Sequence, residues 1–441
     1  MITRMNGKVY AWLCTLVFPF VLMSCSTSGP GLFAKKNLHD QYAQKLSDAG
    51  LAETALGRQW LSAAEGALSN PVTISLPYKE LSYFDAAQPR AVGLQFSGKQ
   101  GEKLVFQLNT KATDAFQLFA DLWEVTTSAK PSFIRSIDTS LNTFELEIED
   151  NTTAYILRLQ PELLKSMDYE LSISIAPSLA FPVAGNNARI ASYWGAARDA
   201  GARSHEGIDI FAPKRTPALA AADGTVTRVN ENNLGGLVVW LRPKGKSYNL
   251  YYAHLDEQLA TAGQQVSKGD TIGLIGNTGN ARTTPPHLHL GIYAAGGAVD
   301  PLPFVNPDIK KPKEPSTTIN LKEDKLRLVK STAISTANFS STMAANTIVQ
   351  PIAVTADGYR VMLPDHRIAE IAKGNVQKVN GAIKQTSVKD STYLFALPME
   401  NAPRKTMLAS KTAISVLGVF NQYYYIRHKD DEGWVLANAL Q

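Results

Sequence analysis

Four of the seven histidines lie in three short clusters between residues 205 and 289. The first cluster contains His205 and Asp209, the second His254, and the third His287 and His289. Imidazole nitrogens and a carboxylate oxygen suit divalent zinc, which in catalytic sites takes three protein ligands and keeps a fourth position for water. Five such side chains therefore predict a metal site with two spare imidazoles that can move protons.

The spacing of the first cluster constrains its local structure. In a straight strand His205 and Asp209 would be about 13 Å apart, whereas ligands of one zinc ion lie within about 4 Å of each other. The two can share a metal only if the chain bends, and Gly207 permits a bend. The glycine and isoleucines between and after them disfavour a helix, so Glu206 is not assigned as the general base of a zincin-type helix.

The third cluster has the spacing of a strand. His287 and His289 are two residues apart in an apolar run, so both imidazoles are expected on the same face. One of them can bind the metal while the other reaches its water. His254 follows a β-rich segment and can complete the site from a neighbouring strand.

At these residues the chain resembles the lysostaphin/LytM-type zinc endopeptidases that cut peptidoglycan cross-links. The signature of that family is His-x-x-x-Asp followed later by His-x-His. The resemblance covers about residues 183 to 305, and further segments follow in the order seen in the family. These segments are 208–213, 220–226, 252–255, 266–273 and 276–279.

The resemblance implies a role for each histidine and for the aspartate. His205, Asp209 and His289 would bind one zinc ion, and His254 and His287 would be the catalytic pair. His287 would accept the proton of the attacking water and pass it to the leaving amine, while His254 would hydrogen-bond the developing oxyanion. The implied substrate is the stem peptides of peptidoglycan.

The pattern at the N-terminus predicts an export signal. Arg4 and Lys8 precede an apolar stretch over 9–23 that is too short to span a membrane comfortably. The following Cys25 ends a segment that resembles a bacterial lipobox, which implies cleavage before it, a lipid on its sulfur and a periplasm-facing anchor in the outer membrane. The alternative is an ordinary signal peptide cut near the same place. The other cysteine, Cys14, lies in the leader, so the mature chain can form no internal disulfide.

Length and composition indicate an ordinary globular protein with two to four domains. Of the 441 residues, 44% are hydrophobic and 19% charged. The formal net charge of +5 is a weak bias, compatible with anionic cell-wall material, and we expect no nucleic-acid partner. A regulatory protein partner of unknown identity is a further hypothesis.

The remaining patterns predict a mainly β, multidomain fold. Helical spacing over about 35–69 predicts a helical hairpin, and alternating apolar residues over 70–178 predict an antiparallel β-sandwich. Two segments near the C-terminus resemble the tandem bacterial SH3-type small barrels that accompany cell-wall hydrolases. The expected boundaries are 1–24 for the signal peptide, 25–69 for the lipid-anchored tether and helical hairpin, 70–178 for the sandwich, 179–309 for an antiparallel zinc endopeptidase domain, 310–325 for a linker, and 326–388 and 389–441 for the SH3-type domains.

Three functions are compatible with these features. The first is a zinc endopeptidase that hydrolyses peptidoglycan cross-links. The second is a non-catalytic or autoinhibited murein-binding regulator of another hydrolase; the presence of all five site residues counts against it. The third is a zinc peptidase that acts on proteins, against which the accessory modules count only by association.

Overall fold

The computed structural model describes residues 37–112, 116–125, 130–198, 201–336 and 339–441. The predicted export signal and the predicted lipidation site at Cys25 lie outside these residues. Among the helices that are described, none is long and apolar enough to cross a bilayer. The described chain is mostly strand, arranged in several antiparallel sheets, which confirms the predicted mainly β fold class.

The first elements form the predicted helical hairpin, α1 (Leu38–Asp48) and α2 (Ala55–Ser69). Trp60 on α2 is 1% exposed and stacks on His39 of α1, with the ring centroids 4.6 Å apart. Its indole Nε1 donates a hydrogen bond of 2.8 Å to the carbonyl of Pro161 in the following region. The apolar stripe of the hairpin is therefore a packing face that fixes the helices to a sheet.

Residues 72–177 form nine strands that pack as a sandwich. The strands are Val72–Thr73 (β1), Tyr78–Phe84 (β2), Val92–Phe96 (β3), Glu102–Lys111 (β4), Leu118–Val125 (β5), Ser132–Ile137 (β6), Thr143–Glu147 (β7), Ala154–Pro161 (β8) and Met167–Pro177 (β9). One sheet has the order β1-β3-β8-β5-β6, and β2-β9-β4-β7 belongs to the other. Leu94 and Leu157 of the first sheet and Phe106 and Ile173 of the second are fully buried in one core between them.

The third region contains the histidine clusters and has twelve described strands, ten of which form one sheet. Its strands are Arg189–Ser192 (β10), Ala197–Arg198 (β11), Arg203–Ser204 (β12), Ile208–Phe211 (β13), Pro217–Leu219 (β14), Gly224–Asn232 (β15), Gly236–Pro243 (β16), Asn249–Gln258 (β17), Gln265–Val266 (β18), Thr271–Ile275 (β19), His287–Ala294 (β20) and Gly297–Val299 (β21), and a short helix, Leu302–Val305 (α3), follows. The main path through this sheet is β10-β13-β20-β17-β16-β15-β18, while β11 and β12 pair separately. Apolar residues on one face of the sheet form a single buried cluster.

The C-terminal region contributes thirteen strands. They are Leu326–Leu328 (β22), Thr332–Thr336 (β23), Phe339–Met343 (β24), Ile348–Thr355 (β25), Gly358–Met362 (β26), Ile368–Ala372 (β27), Val376–Lys378 (β28), Lys384–Ser387 (β29), Thr392–Phe395 (β30), Arg404–Leu408 (β31), Ala413–Phe420 (β32), Tyr423–His428 (β33) and Asp431–Leu436 (β34). Val349 and Tyr359 share one buried cluster with Phe420 and Trp434, so the two predicted SH3-type segments contact each other through a common core. Their division into two barrels stays a prediction.

No sequence pattern indicated the pairing between β2 and β25. Strand β25 pairs antiparallel with β2, with Leu81 opposite Val354, and so joins the C-terminal region to the sandwich in a nine-stranded sheet. Without β25, the backbone groups along that side of β2 would be unpaired. A buried ion pair spans the same joint, because Arg360 lies 2.6 Å from Glu80 and both side chains are fully buried.

Two glycines of α2 provide a matched test of its packing. A Cβ on Gly66 would meet no atom within 4 Å, whereas a Cβ on Gly57 would lie 1.9 Å from the carbonyl oxygen of Leu51. Gly66→Ala should stabilise α2 by about 0.5–1 kcal/mol, and Gly57→Ala should destabilise it by about 1–3 kcal/mol. Hydrogen exchange of the α2 amides reports these local opening free energies, and an equal effect of the two substitutions would contradict the packing described.

Candidate metal centre

Strand register places four of the five predicted residues side by side. Asp209 on β13 lies directly opposite His289 on β20, and Ala253 on β17 lies opposite His289 from the other side. His254 is the next residue on β17, and its φ of +63° is unusual for a residue other than glycine. His287 lies two residues before His289 on β20, so both imidazoles are on the same face of the sheet, as the spacing predicts.

His205 reaches the same face from a bend between β12 and β13. The bend that the sequence requires between His205 and Asp209 is present, with Gly207 inside it. A Cβ on Gly207 would lie 2.6 Å from Cε1 of His289 and 2.6 Å from the carbonyl oxygen of Leu290. The glycine is therefore needed for the close approach of β20 as well as for the turn.

Three potential ligand atoms converge in this arrangement. The Nε2 of His205, the Oδ1 of Asp209 and the Nδ1 of His289 are mutually 3.0 Å apart. These three residues are one group of the described chain whose donor atoms lie close enough together to hold a metal ion. Because ligands of one zinc ion lie within about 4 Å of each other, the spacing fits a single small cation.

The positions of the protons on these groups also suit the binding of a cation. The carbonyl oxygen of Tyr193, which can only accept, lies 3.0 Å from Nδ1 of His205, so the neutral ring carries its proton there and its Nε2 offers a lone pair. Burial alone would raise the pKa of Asp209, but its close contacts with His205 and His289 hold that pKa well below its usual range, so the group is a carboxylate. Lone pairs and a carboxylate charge thus converge on one point, which is the donor set of a divalent metal.

Arg198 holds the other oxygen of the carboxylate. Its Nη2 donates hydrogen bonds of 2.7 Å to Oδ2 of Asp209 and 2.7 Å to Oγ of Ser192. Only Oδ1 of Asp209 is then left to face the two histidines. Sequence analysis missed Arg198, since no spacing rule distinguishes it from the other arginines of the chain.

His254 and His287 lie beside the ligand group, with ring centroids 5.0 Å apart. The Nδ1 of His254 lies 2.9 Å from the carbonyl of Thr278, and that of His287 lies 2.9 Å from the carbonyl of Pro285. Each neutral ring therefore keeps its proton on Nδ1 and presents Nε2 as an acceptor. Burial, followed by repulsion from the neighbouring histidines, lowers the pKa of His254 to about 4, so it is neutral near pH 7.

The five residues line a cleft of about 870 Å³. Trp240, Tyr251 and Tyr293 are in mutual ring contact and form one aromatic wall of it. Burial, together with the charge of Glu206, raises the pKa of Tyr293 to about 12. All described residues that line the cleft lie between 192 and 293, and so none of them comes from the sandwich or the C-terminal region.

The depressed pKa of His254 has a consequence for stability in the presence of a chelator. The pKa is about 4 in the folded chain against 6.5 for a free histidine, so the unfolded chain binds more protons between these values. Stability should therefore fall as the pH is lowered from 6.5 to 4, and it should fall less steeply in His254→Gln. Melting temperatures across this window measure both slopes, and equal slopes would rule out the neutral state assigned to His254.

The comparisons with known proteins concern this same region. Residues 203–301 match the family model described as Peptidase family M23. The peptidoglycan DD-endopeptidase ShyC of Vibrio cholerae is 32% identical over 161 residues, which cover 35% of this chain and 33% of ShyC. An uncharacterized metalloprotease of Haemophilus influenzae is 46% identical over 101 residues, which cover 23% of this chain and 21% of that protein. This chain thus spans about a third or less of these two relatives.

Among solved structures, the catalytic domain of lysostaphin from Staphylococcus simulans is 29% identical, with a TM-score of 0.25, and the match covers 27% of this chain and 92% of that domain. The sequence matches confirm the resemblance to lysostaphin/LytM-type peptidases. We conclude that residues 203–301 of the chain are similar to Peptidase family M23.

Proposed function

We propose that this protein is a zinc-dependent endopeptidase that hydrolyses peptide cross-links in bacterial peptidoglycan. The convergence of His205, Asp209 and His289 on one point, beside two further histidines in the same cleft, is the observation that supports it most. The relative ShyC bears the name of a peptidoglycan DD-endopeptidase, which supports the choice of substrate.

His205, Asp209 and His289 would hold the zinc ion. When bound, zinc lowers the pKa of a coordinated water towards about 7 and polarises a substrate carbonyl. Arg198 occupies Oδ2 of Asp209, so the carboxylate would offer a single oxygen. The bond from His205 to the Tyr193 carbonyl fixes the ring in the orientation and tautomer that a ligand needs.

His287 is the proton acceptor in this proposal. Its Nε2 lies 3.9 Å from Oδ1 of Asp209, next to the ligand group. Because the Pro285 carbonyl holds the proton of Nδ1, Nε2 is free to accept a proton from the attacking water and then deliver it to the leaving amine.

His254 would stabilise negative charge on the substrate oxygen. Its Nδ1 proton is already bonded to the carbonyl of Thr278, so Nε2 can donate to an oxyanion only after the ring has taken up a second proton from solvent. The pKa of about 4 opposes that gain in the free chain. A developing negative charge nearby favours it, because opposite charge raises a histidine pKa. The role would therefore be expressed in the transition state rather than in the ground state.

The lipid anchor at Cys25 and the location on the periplasmic side of the outer membrane belong to the same proposal. They rest on the lipobox-like segment and on the short apolar stretch before it. An anchor of this kind would keep the enzyme next to the peptidoglycan layer while the tether that follows lets the folded part reach it.

Two variants distinguish the metal-binding role of His289 from the proton-transfer role of His287. His289→Ala removes one of three ligands, so it should lose bound zinc and activity together. His287→Ala should retain one zinc ion while its turnover falls by about 10²–10⁴-fold, the usual contribution of a general base. Elemental analysis and a cleavage assay measure the two quantities; full zinc content together with full activity in either variant would reject the assignment.

The substrate is tested by incubating the chain from residue 26 onward with isolated peptidoglycan, with and without a chelator. Mass spectrometry should show loss of cross-linked fragments and new free amines, and the chelator should abolish both. Intact peptidoglycan despite one bound zinc ion would favour the murein-binding regulator instead. Cleavage of an unfolded protein with peptidoglycan left intact would favour the protein-directed peptidase.

A further inference from the structure

A second cavity of about 830 Å³ lies outside the peptidase domain. Most of its wall comes from helix α2, the segment 88–93 that leads into β3, and the β-hairpin of β26 and β27, and Leu397 also lines it. It shares no lining residue with the metal cleft. A volume of this size is typical of sites that take a small molecule or a short peptide.

Arg90 in this cavity wall differs from the other buried arginines. Arg158 pairs with Asp121 at 2.6 Å, and Arg360 pairs with Glu80 at 2.6 Å. Arg90 is only 9% exposed, yet it makes no ion pair with any carboxylate among the described residues.

The contacts that Arg90 does make include no carboxylate among the described residues. Its Nη2 donates a hydrogen bond of 2.6 Å to the carbonyl of Tyr83, and the guanidinium lies 5.1 Å from the Tyr83 ring centroid. Burial lowers the pKa of Arg90, and the nearby Tyr83, Tyr169 and Asp85 offset this only in part. A buried cation without a paired anion is costly in a folded protein.

We propose that this cavity binds a short peptide that bears a free carboxylate and that the carboxylate pairs with Arg90. The planar guanidinium matches a carboxylate in a two-point contact, which favours this group over a spherical anion. Gln59 and Gln88 line the cavity and carry amides that can bond peptide groups, and the small side chain of Ala63 leaves room on the helix wall.

An acidic stem peptide of peptidoglycan is the ligand with this chemistry, and its choice rests on the proposed function. The cavity would then be a second substrate-binding site, separate from the one where cleavage occurs. Because its walls come from the helical hairpin, the sandwich and the C-terminal region, a bound peptide would contact all three regions at once.

The test measures binding without turnover. The chain from residue 26 onward, held in chelator, is titrated calorimetrically with a synthetic stem tetrapeptide that has free carboxylates and with the same peptide fully amidated. We expect the acidic peptide to bind and the amidated peptide to bind at least about tenfold more weakly, as loss of a charge-assisted pair predicts.

Three variants locate the site. Arg90→Gln removes the charge and should weaken binding of the acidic peptide by about tenfold or more. Ala63→Phe fills the cavity from α2 and should weaken binding even though Arg90 is intact, which keeps the test valid if Arg90→Gln fails to fold. Arg228→Gln, at an exposed position on β15, is the matched control and should bind as the wild type does.

The proposal falls if the acidic peptide does not bind, or if Arg90→Gln and Ala63→Phe both bind it as tightly as the wild type. It also falls if inorganic phosphate alone binds as tightly as the peptide, because the cavity would then be a general anion site. Chelator-sensitive cleavage of peptidoglycan is measured separately, so failure of the second site and failure of the proposed function are distinguished.

Discussion

The register of three neighbouring strands is the constraint on which the metal centre depends. On β13 and β20 the residues that face the cleft alternate with residues that are fully buried in the core, Ile208 and Ile210 on one strand and Leu288 and Leu290 on the other. A slip of one residue would exchange these two sets, so that ligands would enter the core and leucines the cleft. The same apolar contacts that stabilise the domain therefore also fix the positions of the ligands.

The chemistry of the site depends on backbone carbonyls as much as on side chains. The carbonyls of Tyr193, Thr278 and Pro285 each hold the Nδ1 proton of one histidine and so decide which nitrogen faces the cleft. All three carbonyls belong to residues outside regular strands. The rigid sheet sets the distances between the side chains of the site, while the loops set the tautomer of these three histidines.

Local patterns predicted much of this structure. The bend around Gly207, the shared face of His287 and His289, the helical hairpin and the sandwich strands all follow from spacing within a few residues. The contact of Arg198 with Asp209, the pairing of β2 with β25 and the unpaired charge of Arg90 were not predicted. Each depends on which distant segment lies opposite, or on what is missing there, and residue spacing in one sequence carries no such information.

The shared nine-stranded sheet makes the outer regions of the chain a single discontinuous unit. Strand β2 is completed by β25, which comes about 270 residues later, and the whole peptidase domain is inserted between β9 and β22. A protease that cuts within 310–325 would therefore leave two fragments held together by strand pairing and by the buried pair of Glu80 and Arg360. During folding, β2 can pair along this edge only after β25 has been synthesised, and such long-range pairing slows folding.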